Sequence, residues 1–248
     1  MAYLVTVLNQ KGGVGKTTIS CHLAFAAIEA GKTVLMVDLD TQGNASQFMS
    51  QDMTVHQSSG GAEQLYEDAE LQYLDTPHAN LKLLHGHKDL EALDQDVERI
   101  FGIAPSLAAK MRALPFDYVI FDTPTSIGPR SVTPLFWSDL AVIAVRPSLS
   151  SLVGLKETIE TIGNVRRVNR RLKAKYVINQ MNKSSSSQKE ARNALIEKFG
   201  PDVLAEFSTR QHVADALDSF VPVWSYTRDA KLKKEWRAFT ATTLNLTA

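Results

Sequence analysis

The sequence predicts an α/β fold in which a mainly parallel, twisted β-sheet carries helices on both faces. Three observations support this prediction: short apolar runs that end in polar residues, helical stretches between those runs, and a glycine-rich turn after the first run. Strands that alternate with helices form right-handed βαβ units, whose strands lie parallel in one covered sheet. Ligands bind at the carboxyl edge of such sheets, so we expect the functional residues directly after the strands.

The strand predictions rest on apolar and β-branched runs that are typical of strands buried on both faces. The first run, Tyr3–Leu8, leads into the glycine-rich turn, and the second, at 33–37, ends in two aspartates. The other predicted strands lie at 80–84, 118–121, 140–145 and 176–178. Helices are predicted at 17–30, closed by Gly31 in the position after the helix, and at 152–168, 187–199 and from Ala230 onward.

Composition limits the class of protein. The 248 residues fit one α/β domain, so we expect a single domain over residues 1–248. The single cysteine cannot form an internal disulfide or a cysteine-based zinc or iron–sulfur site within one chain. The sequence shows no signal peptide, and no apolar run approaches the ~18 residues that span a bilayer. We therefore expect a cytoplasmic protein.

The net charge of zero hides an asymmetry along the chain. Residues 1–155 hold 10 Lys/Arg and 17 Asp/Glu, whereas residues 156–237 hold 17 Lys/Arg and 10 Asp/Glu. The acidic side chains are densest from Glu63 to Glu98, and the basic ones from Arg166 to Lys175. A basic segment of this kind indicates contact with a polyanion, although solvated helix faces can have the same composition.

The turn after the first strand has the composition of a phosphate-binding loop. Its glycines let backbone N–H groups point at the phosphates of a nucleotide, and the following helix adds a partial positive charge. Lys16 is expected to reach the β- and γ-phosphates and the Thr17 hydroxyl to bind Mg²⁺. Gln10 stands where the usual motif has its first glycine. The loop consists of Lys11, Gly12, Gly13, Val14, Gly15, Lys16, Thr17 and Thr18.

Residues 9–18 (NQKGGVGKTT) resemble the deviant Walker A box of the ParA/MinD family of P-loop ATPases. The resemblance implies a P-loop NTPase fold, ATP and Mg²⁺ as cofactors, slow ATP hydrolysis, and a homodimer whose ATP-bound subunits face each other. Lys11 matches the extra lysine of this family, which reaches the phosphates of the partner's nucleotide. It would act like an arginine finger supplied in trans. The resemblance covers nearly the whole chain but is weak at 55–115.

The segment 38–44 (DLDTQGN) matches a switch segment of this family, with Thr41 in place of the usual proline. By resemblance, Asp40 orients or activates the attacking water, and Asp38 supports the metal or the loop. The alternation of an extended chain would bring both carboxylates to one side. Either aspartate could instead be a structural cap or turn residue.

Asp122 follows an apolar strand, as the aspartate of a Walker B motif does. By resemblance it would hold Mg²⁺ through a water molecule, since Mg²⁺ keeps part of its hydration shell. A buried aspartate with a structural role is the alternative. In segment 122–128 (DTPTSIG), Thr125 replaces a second proline, and Gly128 is placed to let a switch backbone move. Both departures, Thr41 and Thr125, alter loop stiffness rather than reactive groups.

Weaker matches indicate where the base of the nucleotide would lie. Residues 208–211 (STRQ) fall where the family commonly has I-P-R-N, and Asn179 follows the strand predicted at 176–178. By resemblance, Asn179, Thr209 and Gln211 contact the adenine. Residues 145–147 and 152–155 resemble a strand–Pro–helix segment near the dimer face.

The family divides by the surface that its members bind, and the sequence favours DNA. ParA-type members bind non-specific DNA as ATP dimers, which requires cations aimed at phosphates without base readout. By resemblance, a ParB-like or other cargo-adaptor protein stimulates hydrolysis, brings a short basic segment and docks on the acidic half. We expect a nucleoid-associated location, a plasmid, chromosome region or protein cargo, and no N-terminal helix-turn-helix extension. The candidate DNA contacts are Arg210, Arg228, Lys231, Lys233 and Lys234, with the run at 166–175 as a further candidate.

Three other classes stay open. A MinD-like membrane-cycling ATPase would end in a basic amphipathic helix, and Trp236 with Phe239 could form its interfacial face. The threonine-rich end is a poor anchor, so we expect this tail to dock on the core and expect no membrane partner. Iron–sulfur relatives need bridging cysteines, whereas Cys21 is typical of a small core residue. A nucleotide-binding adaptor without hydrolysis is the last alternative.

Overall fold

The computed structural model describes residues 1–246, apart from the side chains of Leu149 and Val153. One eight-stranded sheet with the order β3-β4-β2-β5-β1-β6-β7-β8 organises the chain. All neighbouring strands are parallel except β3 and β4. The predicted α/β class is confirmed. In chain order, β1 to β8 are Tyr3–Leu8, Val34–Asp38, Leu74–Asp75, Leu81–Leu84, Tyr118–Asp122, Leu140–Val145, Lys173–Met181 and Val203–Ser208.

Helices cover both faces of this sheet. Gly31 has a φ of +73°, the left-handed conformation predicted for the residue after the first helix. In chain order, α1 to α11 are Lys16–Glu29, Asn44–Ser50, Glu91–Gln95, Val97–Ile103, Ala108–Arg112, Pro129–Trp137, Leu149–Arg166, Ser186–Phe199, Gln211–Asp218, Val223–Tyr226 and Ala230–Leu244. Short 3₁₀ turns lie at Val55–Gln57, Ala62–Tyr66, Lys88–Leu90 and Gly200–Asp202.

The core divides at the sheet because successive side chains of a strand point to opposite faces. In β1, Val5 and Val7 pack into a cluster with α1, α2 and α9 to α11. Leu4 and Leu8 pack into two clusters with α3 to α8 on the other face. β1 therefore lies between two layers, and the loop after it emerges at the carboxyl edge of the sheet.

The C-terminal helix α11 docks on the core, as predicted. Its Trp236 stacks on Phe207 with ring centroids 4.3 Å apart and is 1% exposed. Leu232 and Phe239 are buried on the same side of the helix. Within residues 1–246, no helix is both long and apolar enough to cross a membrane.

The structure differs from the predictions mainly at the β7–β8 end of the sheet. The strand predicted at 176–178 is the nine-residue β7, and β8 was not predicted. Both contain charged or polar residues, and most side chains of β8 are only partly buried because it is an edge strand. Such strands lack the continuous apolar run by which the others were found. The last two residues of the expected domain, 247 and 248, lie outside the described residues, so its extent stays a prediction.

Candidate nucleotide-binding site

Two asparagines hold the phosphate loop between β1 and α1. The Asn9 amide nitrogen donates to the Ala144 carbonyl, and its side-chain oxygen accepts from the Lys11 backbone N–H at 2.9 Å. The Asn179 amide nitrogen donates to the Val14 carbonyl at 2.8 Å. A Cβ on Gly15 would lie 2.3 Å from this nitrogen, and Gly15 also has a φ of +92°. The left-handed backbone and the close Asn179 amide therefore favour glycine at this position.

This loop forms one wall of a cleft of about 550 Å³ at the carboxyl edge of the sheet. The cleft brings together the loop residues 13–18 with Asp40 of the first switch segment and residues 124–126 of the second. Strands β1, β2 and β5 lie side by side, so their carboxyl ends meet here. The predicted nucleotide-binding residues at 13–18 therefore line one space at the N-terminus of α1, a position that fits a phosphate chain.

The donor set below the cleft fits Mg²⁺. The Thr17 hydroxyl donates to one Asp122 carboxylate oxygen at 2.7 Å, and the Ser20 hydroxyl donates to the other at 2.8 Å. A hydroxyl and a carboxylate at hydrogen-bond distance are oxygen ligands of the kind that Mg²⁺ prefers, directly or through water. Ser20 was not predicted, although its spacing of three from Thr17 places both on one helix face.

Burial governs the charges in this site. It raises the pKa of the Asp122 carboxyl, against which the Thr17 and Ser20 hydrogen bonds and the nearby Lys16 charge act. Burial also raises the pKa of the Asp38 carboxyl, to which the Asp122 charge adds. Burial lowers the pKa of Lys16, whereas the Asp122 and Asp40 charges raise it. Carboxylates thus crowd a desolvated site, where a bound cation would favour their ionised forms.

Asp38 supports the first switch segment. One carboxylate oxygen accepts from the Ser46 backbone N–H at 2.8 Å and from its hydroxyl at 2.7 Å. The other oxygen accepts from the Asp40 backbone N–H at 3.0 Å. Asp38 is fully buried, and both of its carboxylate oxygens accept hydrogen bonds from groups of the first switch segment and α2. The contacts therefore favour the loop-supporting role over the magnesium role, which stays a prediction.

Hydrogen bonds close the turn at Thr41, where the family has proline. The Asp40 carboxylate accepts from the Gln42 backbone N–H at 3.1 Å, and the Asp40 carbonyl accepts from Gly43 at 3.0 Å. Gly86 packs so closely that an added Cβ would lie 2.2 Å from the Asp40 carbonyl. The turn is thus defined without proline, and Gly86 is a further residue that was not predicted.

Lys11 does not line the cleft of its own subunit. Its ammonium lies at the N-terminus of α7, 2.8 Å from the Ser150 hydroxyl, 3.2 Å from Ser148 and 3.3 Å from Ser151. The side chain is partly exposed. Lys16 of the same loop is buried and lines the cleft. The two lysines of this loop therefore have different surroundings.

A cavity of about 170 Å³ next to the cleft brings together the residues expected at the base. Thr18, Asn179, Thr209 and Gln211 line it, and Gln180 lines both the cavity and the cleft. The Asn179 amide nitrogen is bonded to the phosphate loop, and that of Gln211 donates to Asp215 at 2.8 Å. The location fits an adenine, and the individual base contacts stay predictions.

The candidate DNA contacts divide between two edges of the sheet. Arg210 follows β8 at the carboxyl edge, where it precedes α9. Backbone hydrogen bonds from Leu232 and Lys231 lower the pKa of Asp229, the N-terminal cap of α11, and the nearby Arg210 charge adds to this effect. The run at 166–175 joins the end of α7 to the start of β7, at the opposite edge. Only the first group borders the cleft edge. It consists of Arg210, Arg228, Lys231 and Lys234, which are exposed, and Lys233, which is partly exposed.

Comparison with known proteins decides the family. A profile of the AAA domain family matches residues 2–174, which contain the phosphate loop and both switch segments. Two Escherichia coli proteins named IncC are 31% and 32% identical over 94% and 96% of this chain. A chromosome partitioning protein ParA from Caulobacter vibrioides is 28% identical over 85% of this chain and 79% of its own length. The chain belongs to the ParA/MinD family of P-loop ATPases.

The likeness to other ParA/MinD-family members extends to the fold. The Cyanothece McdA(D38A)–ATP complex superposes with a TM-score of 0.81 at 16% identity, over 100% of this chain and 98% of that one. The chain spans 65% and 68% of the lengths of the two IncC proteins. The residues described in this ParA/MinD-family chain thus have the same fold as that ATP complex.

Proposed function

We propose that this protein is a ParA-type ATPase that pairs with a second copy when ATP is bound, holds non-specific DNA, and is released on hydrolysis. In this way it would segregate or position a plasmid, a chromosome region or a protein cargo. The observation that carries the proposal is the cleft lined by Lys16, Thr17 and Asp40, with Asp122 hydrogen-bonded to Thr17 below it and Lys11 directed outside it.

The proposed hydrolysis uses groups with separate tasks. Backbone N–H groups of residues 13–18 and the Lys16 ammonium would bind the phosphates, and Asp40 would orient the attacking water or accept its proton. Mg²⁺, when bound, supplies charge neutralisation at the phosphates. Thr17 and Asp122 would hold this ion directly or through water. Intrinsic turnover is proposed to be weak, because Lys11 is not in the cleft of its own subunit.

The proposed dimer would complete the site. Among the described residues, the Lys11 ammonium hydrogen-bonds to three neutral hydroxyls and to no carboxylate, so its departure from Ser148, Ser150 and Ser151 would break no ion pair there. A partner subunit facing the cleft could receive this ammonium at its phosphates, where negative charge develops during hydrolysis. Pairing and turnover would then be coupled through one side chain.

The basic turn at the start of α11 supports the DNA part of the proposal. Lys231, Lys233 and Lys234 lie at the positive end of the helix dipole, where cations destabilise the helix. The Asp229 cap, which accepts from the backbone N–H groups of Lys231 and Leu232, offsets part of this cost. The sequence has these lysines where they lower the stability of the helix, which favours a role in binding. The DNA phosphate backbone is the anion that such a cluster of cations would bind.

We further propose that a ParB-like or other cargo-adaptor protein stimulates hydrolysis and that the protein works on the nucleoid in the cytoplasm. The name of the Caulobacter relative, a chromosome partitioning protein, supports this use. The MinD-like alternative needs a free apolar face on the C-terminal helix. That face packs on the core through Leu232, Trp236 and Phe239, which favours DNA over a membrane.

Co-sedimentation with two surfaces tests the proposal. The protein would be mixed with DNA-coated beads or with anionic phosphatidylglycerol liposomes, each with ATP, ADP or no nucleotide, and Lys16→Ala would serve as the nucleotide-binding control. We expect ATP-dependent retention on DNA only, and none for Lys16→Ala. ATP-dependent retention on liposomes alone would support the MinD-like alternative and overturn the proposal.

A further inference from the structure

An ion pair adjoins the cleft, with a buried arginine at the cleft wall and a partly buried aspartate behind it. Arg130, the second residue of α6, is 6% exposed and lines the cleft together with Asp40. Its partner Asp94 lies in α3, within the acidic segment 63–98. The desolvation of a charged pair costs free energy, so the pair is weak evidence for a contribution to stability and a candidate for another role.

The guanidinium of Arg130 joins two distant segments. Its Nε and Nη2 contact one carboxylate oxygen of Asp94 at 2.9 and 2.7 Å. Its Nη1 donates to the Leu39 carbonyl at 3.2 Å. Leu39 is fully buried and directly precedes Asp40. The arginine therefore holds the backbone from which the proposed water-orienting carboxylate projects.

Asp94 holds the end of the second switch segment at the same time. Its other carboxylate oxygen accepts from the Arg130 backbone N–H at 3.3 Å. A Cβ on Gly128 would lie 2.7 Å from that oxygen, so the carboxylate packs against the backbone where α6 begins. One ion pair thus fixes the first switch segment through Arg130 and the second through Asp94.

We propose that Arg130 is a positioning residue for ATP hydrolysis, which fixes Asp40 against the phosphate loop, and that Asp94 fixes Arg130. The inference rests on the proposed ATPase function and gives the acidic segment a task in it. Misplacement of a reacting group by about 1 Å can cost about 100-fold in rate, so a held backbone matters at Asp40. Lysine cannot replace Arg130, because a single ammonium lacks the planar fork that reaches Asp94 and Leu39 together.

The chain offers a matched control for a merely structural role. Arg112 also pairs with an aspartate and a backbone carbonyl, through Nη1 to Asp139 at 2.8 Å and Nη2 to the Trp137 carbonyl at 2.8 Å. This pair is mostly buried and lies at the amino edge of the sheet, where Asp139 precedes β6. Removal of this pair should affect stability without touching the cleft.

The test compares Arg130→Gln, Arg130→Lys and Asp94→Asn with Arg112→Gln. Single-turnover ATP hydrolysis, the Kd of a fluorescent ATP analogue and urea unfolding would be measured for each. We expect Arg130→Gln and Arg130→Lys to lower the hydrolysis rate about 10- to 100-fold, with a change in Kd below about 3-fold. Arg112→Gln should lose stability but keep its rate. Asp94→Asn should slow hydrolysis less and add nothing to Arg130→Gln in the double variant.

Hydrolysis at the wild-type rate in folded Arg130→Gln or Arg130→Lys would overturn the inference. An equal loss of hydrolysis rate in Arg112→Gln would also overturn it, because the lower rate would then follow from lower stability in general. If Arg130→Gln does not fold, Arg130→Lys and Asp94→Asn decide by the same criteria. Absence of hydrolysis in the wild type, even with DNA, would instead refute the proposed ATPase function.

Discussion

Two lysines of one loop, Lys11 and Lys16, illustrate how position decides role at the scale of single residues. Lys16 is buried among the carboxylates Asp40 and Asp122, where its charge offsets theirs. Lys11 rests on the serines of α7, outside the cleft. These positions agree with the proposed roles, in which Lys16 binds nucleotide and Lys11 acts on another copy of the chain.

Substitution of these lysines should therefore separate binding from pairing. Lys16→Ala is expected to abolish ATP binding, because it removes the cation that faces the phosphates. Lys11→Ala is expected to bind ATP normally but to remain monomeric with ATP. Nucleotide titration and light scattering measure the two properties, with exposed Lys32→Ala as a control that keeps both. ATP-dependent dimers of Lys11→Ala would contradict the role across the interface.

His22 links the helix after the phosphate loop to the C-terminal layer. Its Nδ1 donates to the Thr18 carbonyl at 2.7 Å, and its Nε2 accepts from the Val223 backbone N–H at 3.0 Å. The ring lies between Trp224 and Trp236. Burial lowers the pKa of this histidine to about 4. It is therefore neutral in the folded protein at pH values where an unfolded chain would protonate it.

The free energy of unfolding should therefore depend on pH through His22. Between about pH 6.5 and pH 4 the unfolded chain binds the extra proton, so acidification destabilises the folded state by up to about 3 kcal/mol. Asp38 and Asp122 act in the opposite direction, because burial raises their pKa values. Comparison with His22→Gln cancels their effect. The free energy of unfolding of the wild type, relative to that of His22→Gln, should decrease as pH falls from about 6.5 to about 4. A difference that stays constant over this pH range in urea unfolding would contradict the neutral state of His22.

The sequence pointed directly to candidate residues that lie next to strands in the chain. The loop at 11–18, Asp40 and Asp122 lie at or just after the ends of β1, β2 and β5, and their roles stay predictions. Arg130 and Gly86 were not predicted, because their importance comes from contacts with Leu39 and Asp40 that are distant along the chain. Such contacts leave no local pattern in one sequence.

At the scale of elements, burial on both faces decided which strands could be predicted. β1, β5 and β6 lie inside the sheet, are almost fully buried, and match the predicted bounds closely. The edge strand β8 has Glu206 within it, and all of its residues except Phe207 are only partly buried, so no continuous apolar run marked it. The tail helix α11 was predicted correctly because its apolar stripe recurs at helical spacing and faces the core.

The first turn of α11 provides a test at this scale. Replacement of Lys231, Lys233 and Lys234 by Gln is expected to weaken DNA binding. The slope of the salt dependence should fall by about 1 for each DNA phosphate that a lysine no longer neutralises. The helix itself should not be destabilised, since the substitution removes cations from its positive end. Fluorescence anisotropy over a salt series measures both the affinity and the slope.

The matched control for this turn lies at the opposite edge of the sheet. Combined replacement of Arg167, Arg170 and Arg171 by Gln removes three exposed cations from the run at 166–175 and should leave DNA binding nearly unchanged. An equal decrease in affinity in both sets of variants would show that only net charge matters, which would contradict a defined DNA-facing surface.

At the scale of the whole molecule, the zero net charge is a balance between regions with different tasks. Acidic residues of the first half supply the cleft carboxylates and, through Asp94, the contact that holds Arg130. Basic residues of the second half surround the start of α11 and follow β8. The proposed cycle uses both, because ATP bound in the acidic cleft would pair two subunits and thereby double the basic surface.

Asp40→Ala provides the most direct measurement of this cycle. Sedimentation velocity with labelled non-specific DNA would follow wild-type protein and Asp40→Ala after addition of ATP and Mg²⁺. We predict that the wild type forms DNA-bound dimers that decay as ATP is consumed, whereas Asp40→Ala forms dimers that stay on the DNA. The proposed cycle would be contradicted if the wild type stayed monomeric after addition of ATP. It would also be contradicted if Asp40→Ala complexes left the DNA at the wild-type rate.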